Sequence, residues 1–222
     1  METRLILIRH GHSWHKVRGV VGGPRGCTGL TDRGRAQAAR LRDRLARQDG
    51  LAGAALYSST VPRAVETATI IAPALGATAP VQHPGLCSYL VSEAADGMPV
   101  DEYRRRFGVP GGGVYRPYEA GTEAWAQLLV RVGAALFEIA AANTGRTAVL
   151  VTHNETVQAS LTAIGELPIR RHFEVAIADT AITEWTTADD PGGGGPPDWA
   201  FARWTLVRLN DAAHLEPAAP PA

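Results

Sequence analysis

Leu5-Ile6-Leu7-Ile8 runs without a break into Arg9-His10-Gly11-His12-Ser13. Four consecutive apolar residues, two of them β-branched, have the length and character of a strand covered on both faces. Such a run belongs inside a largely parallel sheet, and its Arg-His-Gly then lies at the carboxyl end, where open α/β sheets bind their ligands. The three residue types suit phosphoryl transfer. A neutral imidazole nitrogen can attack phosphorus, a guanidinium can clamp its oxygens, and glycine lets backbone approach an anion.

Working outward, a glycine-rich loop carries Gly19, Gly22, Gly23, Gly26 and Gly29, and Leu30-Thr31-Asp32 then opens a helix. Ala38, Leu41 and Leu45 mark its buried face, and Gly50 stops it. Ala54 to Tyr57 reads as a second short strand. Ser58-Ser59-Thr60-Val61-Pro62 reads as a helix start, with Thr60 as the cap and proline in the first turn. Arg63 therefore falls on the first turn of a helix that continues through Ala68 and Ile71 to Gly76. Thr122 to Asn143 is strongly helical, with Trp125, Leu129, Val132, Leu136 and Ile139 at three- to four-residue spacing. Thr147 to Val151 is another buried strand; it ends at Thr152-His153-Asn154-Glu155, and a helix follows to Gly165. Val175 to Trp185 and Trp199 to Leu209 read as strands around a linker from Asp190 to Pro197. Both His10 and His153 thus stand at strand ends. Alternating strands and helices predict an α/β sheet covered on both faces.

Residues 80–117 carry no sustained period and include Gly111-Gly112-Gly113; they are expected to form an inserted lid. Tyr89, Tyr103, Arg104 to Arg106, Tyr115 and Tyr118 are its expected substrate contacts.

The chain has 222 residues, 45% hydrophobic and 20% charged, the mix of an ordinary globular protein. At about 150 residues per domain, one domain over 1–222 is expected, with a frayed tail at 217–222. Its 22 basic and 22 acidic side chains cancel, so no global field draws nucleic acid or an anionic membrane. Any anion must be caught locally. No basic segment precedes a long apolar core, so a cytoplasmic location is expected, and there Cys27 and Cys87 are expected as free thiols. The apolar residues of the last strands are expected either to cover the sheet or to pair with a second copy of the chain.

Several pieces in order resemble the histidine phosphatase superfamily, the phosphoglycerate-mutase-like family. They are Leu7-Ile8-Arg9-His10-Gly11; Gly29-Leu30-Thr31 with Gly34 and Gln37-Ala38; Tyr57-Ser58-Ser59 with Arg63-Ala64 and Glu66-Thr67-Ala68; Gly121, Glu123, Trp125 and Arg131; and Val149-Leu150-Val151-Thr152-His153. Thr183-Glu184-Trp185 and Trp204 to Arg208 are similar to the closing strands of some members. The resemblance implies a three-layer α/β/α sandwich with a mixed, mostly parallel central sheet, and a phosphohistidine mechanism that uses no metal and no cofactor. It makes His10 the nucleophile, and Arg9, Arg63 and His153 the holders of the phosphoryl oxygens. The implied function is a phosphatase acting on a small phosphorylated metabolite.

The departures lie close to the chemistry. His12 stands where the family has Glu or Gln, Lys16 where many members have Asn, and Asn154 where Gly or Asp is common. The proton donor of the family's Leu-x-Glu is replaced: counting from Leu86 reaches Ser88. A Glu-x-x-x-Gly spacing counted back from Gly97 selects Glu93 as the acid, with Glu155 in reserve. Asn154 cannot serve, because an amide has no acidic proton.

Three rival readings remain. His10-Gly11-His12 with His15 imitates the spacing of a binuclear zinc hydrolase, although Trp14 occupies the place of the aspartate such a site needs. A phosphate-binding scaffold with negligible turnover would follow from the missing acid. A phosphoglycerate-type mutase would need tight phosphoglycerate recognition and a phosphorylated resting enzyme, and no feature of the sequence demands either. The glycines do not form a dinucleotide-binding Gly-x-Gly-x-x-Gly.

Overall fold

The computed structural model describes residues 2–170, 173–187 and 203–216. Its elements are β1 (Arg4–Arg9), α1 (Trp14–Arg18), α2 (Asp32–Ala46), β2 (Ala55–Ser58), α3 (Pro62–Ile71), β3 (Val81–Gln82), α4 (Val100–Phe107), α5 (Trp125–Ala142), β4 (Thr147–Thr152), α6 (Asn154–Ala163), β5 (Ile182–Thr187) and β6 (Trp204–Asp211). They form a six-stranded sheet in the order β3-β2-β4-β1-β5-β6. β1, β2, β3 and β4 are mutually parallel, while β5 runs antiparallel to β1 and β6 antiparallel to β5. The sheet is mixed and mostly parallel, as expected.

β1 sits between β4 and β5, and its period of two divides its side chains between two cores. Leu5 and Leu7, with Ala148 and Leu150 of β4, face α5 and α6 through Leu128, Val132, Leu136, Val157 and Leu161. Ile6 and Ile8, with Val149 and Val151, face α2 and α3 through Leu41, Leu45, Ala64, Ala68 and Ile71. Helices on both faces of one sheet make three layers, which explains why the run from Leu5 to Ile8 contains no polar residue. Each of these side chains is fully buried, worth roughly 1.5–3 kcal/mol apiece. α5 is long and apolar enough to cross a membrane by length and composition, but here that apolar face is packed on the sheet and on α6.

The ends of the elements differ from expectation where a cap or a side-chain contact intervenes. Thr31 caps α2 by accepting the Gly34 N–H at 3.1 Å. α3 is capped by Val61 rather than Thr60; Pro62 opens it, and a 3-10 turn over Ala72–Leu75 carries the chain to Gly76. The strand expected from Val175 begins only at Ile182. The backbone before it is engaged elsewhere: the Ile177 N–H donates to Asn154, the Ala178 N–H to Asn210, and the Thr180 N–H to the Arg9 carbonyl. β6 begins at Trp204; residues 199–202 of the expected strand, the linker at 190–197 and the tail at 217–222 lie outside the described residues. Glu184 of the closing strands is buried between Arg4 at 2.6 Å and Arg208 at 2.8 Å, tying β1, β5 and β6 together.

Candidate active site

The parallel register of β1 and β4 pairs Arg9 with Thr152, so His10 and His153 leave the sheet side by side at its carboxyl edge. The His10 N–H still donates to the Thr152 carbonyl at 2.9 Å. The two imidazole centroids are 5.2 Å apart, and both rings are buried. Arg63 enters from the first turn of α3 and joins them. Its Nε–H donates to His10 Nε2 at 2.9 Å, Nη2 to His153 Nδ1 at 3.2 Å, and Nη1 to the Gly22 carbonyl at 2.7 Å.

These partners determine the tautomers. A carbonyl only accepts, so the His10 contact to the Gly11 carbonyl at 2.8 Å requires the proton on Nδ1 and leaves the lone pair on Nε2. Arginine only donates, so His153 accepts on Nδ1 and its Nε2–H donates to Ser59 Oγ at 2.7 Å. Burial first, then the Arg63 guanidinium, holds both imidazoles well below their ordinary pKa. At neutral pH His10 is therefore an uncharged base whose Nε2 lone pair accepts from Arg63.

Much of the ordered motif set serves to hold this loop. The Gly11 N–H donates to Thr67 Oγ1 at 3.1 Å, and that hydroxyl donates to the Arg63 carbonyl at 2.7 Å. Gln37 accepts from the His12 N–H, and Glu66 from the Leu30 N–H. A Cβ on Gly11 would lie 2.7 Å from the Gly34 carbonyl oxygen, and one on Gly34 only 2.0 Å from that of His12. Both glycines are required by this close backbone approach. His12 turns its ring to Thr31 at 2.9 Å and does not join His10.

Arg9 is bound by the Ile177 carbonyl and lies 3.3 Å from Asp179, which Lys16 approaches at 3.7 Å. Asn154 accepts from the Ile177 N–H at 3.3 Å, so it braces the segment that braces Arg9. Two residues near the site escape a reading of the sequence. Asp179 falls inside what reads as a strand. His15, read only as part of a metal spacing, brings its ring to 6.3 Å from that of His10, edge to face, and accepts or donates with Ser13 at 2.9 Å. Burial, then Arg63, pushes its pKa down to about 4. Among the described residues, no group of three or more His, Cys, Asp or Glu side chains could hold a metal ion.

The structure does not bring Glu93 to this cluster. Its side chain is 94% exposed, and its carboxylate faces Arg25 at 3.9 Å. Glu155 is instead the carboxylate beside His153: it stands in the first turn of α6 and accepts from Ser88 Oγ–H at 2.7 Å. Ser88 belongs to a segment clamped by Arg131, whose guanidinium donates to the carbonyls of Gly85, Cys87 and Ser88 at 3.0–3.1 Å and is itself paired with Glu123. Glu155 also lines a cleft of about 410 Å³, with Tyr89, Tyr118, Trp125, Asn154 and Arg170 on its walls. Of the other expected substrate contacts, Tyr103 is buried in a small core with Val21 and Ala95, Arg104 to Arg106 face solvent on α4, and Tyr115 is exposed. α4 packs through Tyr103, so its arginine run is the solvated face of a short helix.

The profile of the histidine phosphatase superfamily (branch 1) matches residues 5–193. No curated protein matches the chain in sequence. Solved structures share its fold at low identity. Bacillus stearothermophilus YhfR superposes with a TM-score of 0.74 at 24% identity, over 96% of this chain and 100% of that one. A mycobacterial glucosyl-3-phosphoglycerate phosphatase, in complex with VO3, gives 0.72 at 20% identity, over 94% and 99%. An Entamoeba histolytica phosphoserine phosphatase gives 0.71 at 20% identity, over 96% and 100%.

Proposed function

Because the chain belongs to the histidine phosphatase superfamily, we propose that it hydrolyses a small phosphomonoester through a phosphohistidine on His10, without a metal ion. One observation carries this reading. A single buried guanidinium, Arg63, donates at once to the lone pairs of His10 Nε2 and His153 Nδ1, so the nucleophile and two of the three phosphate-holding groups converge on one point. A phosphoryl group at that point takes the Arg63 N–H groups onto its oxygens and so releases the His10 Nε2 lone pair for attack, with positive charge from Arg63 and Arg9 arranged around it. In the first step Nε2 forms a bond to phosphorus as the ester P–O bond breaks; in the second, water attacks phosphorus and the P–N bond breaks. Both similar phosphatases are named for phosphate esters of alcohols, which supports a small phosphorylated metabolite as substrate; residues 80–117 are the lid we assign to select it.

The test is a panel of alkyl and aryl phosphates with the wild-type chain and His10→Ala. Turnover is expected to fall by ~10⁴-fold or more in the variant. A labelled substrate is expected to leave acid-labile, alkali-stable label on His10 of the wild type. An unchanged rate in His10→Ala overturns the assignment.

A further inference from the structure

An alkyl ester leaves as an alkoxide, which needs a proton in the transition state. None of the groups that hold phosphorus can give it. His10 and His153 are neutral, their single ring protons already directed at the Gly11 carbonyl and at Ser59. Arginine does not release a proton in proteins, so Arg9 and Arg63 contribute charge alone. Asp179 is taken up by Arg9 and Lys16.

Glu155 is differently placed. It stands on the first turn of a ten-residue helix whose N-cap is His153, two residues on from that imidazole in the chain. Ser88 grips one of its oxygens from the opposite wall, at 2.7 Å. That serine is itself fixed: Arg131 binds its carbonyl at 3.0 Å, and the Cys87 carbonyl just before it takes Arg131 at 3.1 Å and Thr156 Oγ1 at 3.2 Å. The aromatic cleft opens from Asn154 and Glu155, one residue beyond His153. A monoester whose alcohol part occupies the cleft carries its bridging oxygen past Glu155.

Building on the phosphatase reading, we propose that Glu155 is the general acid and base of the reaction, that Ser88 positions it, and that the alcohol part of the substrate sits in the adjoining cleft. In the first step the Glu155 carboxyl proton passes to the departing oxygen as the P–O bond breaks, releasing a neutral alcohol and leaving a carboxylate. In the second the carboxylate takes a proton from the attacking water as the P–N bond breaks, and the electron pair returns to His10. The acid is restored and the protons balance.

The experiment compares wild type, Glu155→Gln, Ser88→Ala and the double variant Glu155→Gln/Ser88→Glu on para-nitrophenyl phosphate and on the best alkyl phosphate of the panel. Glutamine keeps an oxygen for Ser88 to bond but has no proton to give. Glu155→Gln is expected to lose ~10²-fold or more in kcat on the alkyl ester, and less than ~10-fold on the aryl ester, whose leaving group needs no proton. Ser88→Ala is expected to lower the alkyl rate by a smaller factor, with little change in KM. The double variant puts a carboxyl group on the residue that bonds Glu155 and is expected to recover at least ~10-fold on the alkyl ester. Equal losses on both esters in Glu155→Gln, or no loss on either, overturn the assignment, as does a wild type that cleaves aryl but not alkyl esters. A wild type that cleaves neither and traps no phosphohistidine overturns the phosphatase reading itself, and the role of Glu155 with it.

Discussion

Two walls enclose the candidate site, and they are held by different means. The inner wall is the carboxyl edge of the sheet, where the pairing of β1 with β4 places His10 beside His153 and Arg63 docks between them. The outer wall, residues 84–125, has no strand behind it. Its inner end is kept in place by side chains: Arg131, held in turn by Glu123, takes the Ser88 carbonyl, and Thr152 and Thr156 take the carbonyls of Leu86 and Cys87 just before it. A wall set by backbone register survives most side-chain changes but depends on the few groups that do the chemistry. A wall set by side-chain clamps, Arg131 foremost, can be undone from a distance. Substitutions in the inner wall should therefore cost rate on every substrate, and those in the outer wall should cost stability and selectivity.

The sharpest test in the inner wall is Arg63→Lys. An ammonium cannot bridge two imidazoles and a carbonyl with the planar fork that spans them here, although it keeps the charge. A loss of ~10²–10³-fold in kcat is expected on alkyl and aryl phosphates alike, since the positive charge faces the phosphoryl oxygens in both cases. Steady-state kinetics on the two esters check it. A loss confined to one class would place Arg63 with the leaving group and break the contrast.

In the outer wall, Arg131→Met removes the donor to the carbonyls of Gly85, Cys87 and Ser88 and leaves Glu123, largely buried, without its guanidinium partner. A destabilisation of roughly 2–4 kcal/mol is expected by chemical denaturation. Kinetically, the alkyl rate should fall by more than the aryl rate, because Ser88 loses the anchor that aims Glu155. Equal losses would mean that the clamp supports the inner wall as well.

The walls also part in their response to acid. His10, His15 and His153 stand in the inner wall, whereas residues 84–125 contain no histidine. The inner-wall imidazoles are all lowered, His15 to about 4. An unfolded chain takes up protons on histidine from about pH 6.5, and the folded inner wall resists them. The unfolded state thus binds more protons below that pH, and stability falls as pH drops from about 6.5 towards 4. Thermal melts at pH 7 and pH 5 should show a lower midpoint at pH 5, and His15→Asn should shrink the difference. A His15→Asn chain with the full wild-type loss would remove His15 from this balance.

The sequence disclosed the inner wall far better than the outer one, for the same physical reason. Leu5 to Ile8 and Thr147 to Val151 can only be strands buried on both faces, so whatever follows them lies at the sheet edge; Arg63 follows from a short strand and a proline-opened helix. Local pattern sets these positions. Ser88 meets Glu155 across 67 residues, through carbonyls clamped by an arginine 43 residues beyond Ser88, and no period or spacing records that meeting. α4 escapes for a related reason: of its eight residues only Tyr103 is buried, too few to mark a helical face. Asp179 is hidden because Ile177 to Thr180 looks like strand but gives its backbone groups to Asn154, Arg9 and the end of β1.

The smallest expected effect belongs to Glu93. The spacing back from Gly97 does mark a built feature, but the acid that matters in it is Asp96, which accepts from the Arg25 N–H at 2.6 Å and the Gly26 N–H at 2.8 Å while the Gly97 N–H bonds the Val21 carbonyl. That loop pins the glycine-rich segment after α1 to the outer wall. Glu93 contributes its backbone carbonyl, at 2.7 Å from Arg25, and leaves its carboxylate in solvent. A surface ion pair of this kind is worth ~0–1 kcal/mol, so Glu93→Gln should shift stability within that range and leave kcat on both esters within about twofold. A selective loss on the alkyl ester in Glu93→Gln, with Glu155→Gln unaffected, would mean that the outer wall swings inward during turnover and carries the acid with it. The division between a wall fixed by register and a wall fixed by side-chain clamps would then describe the resting protein and not the working one.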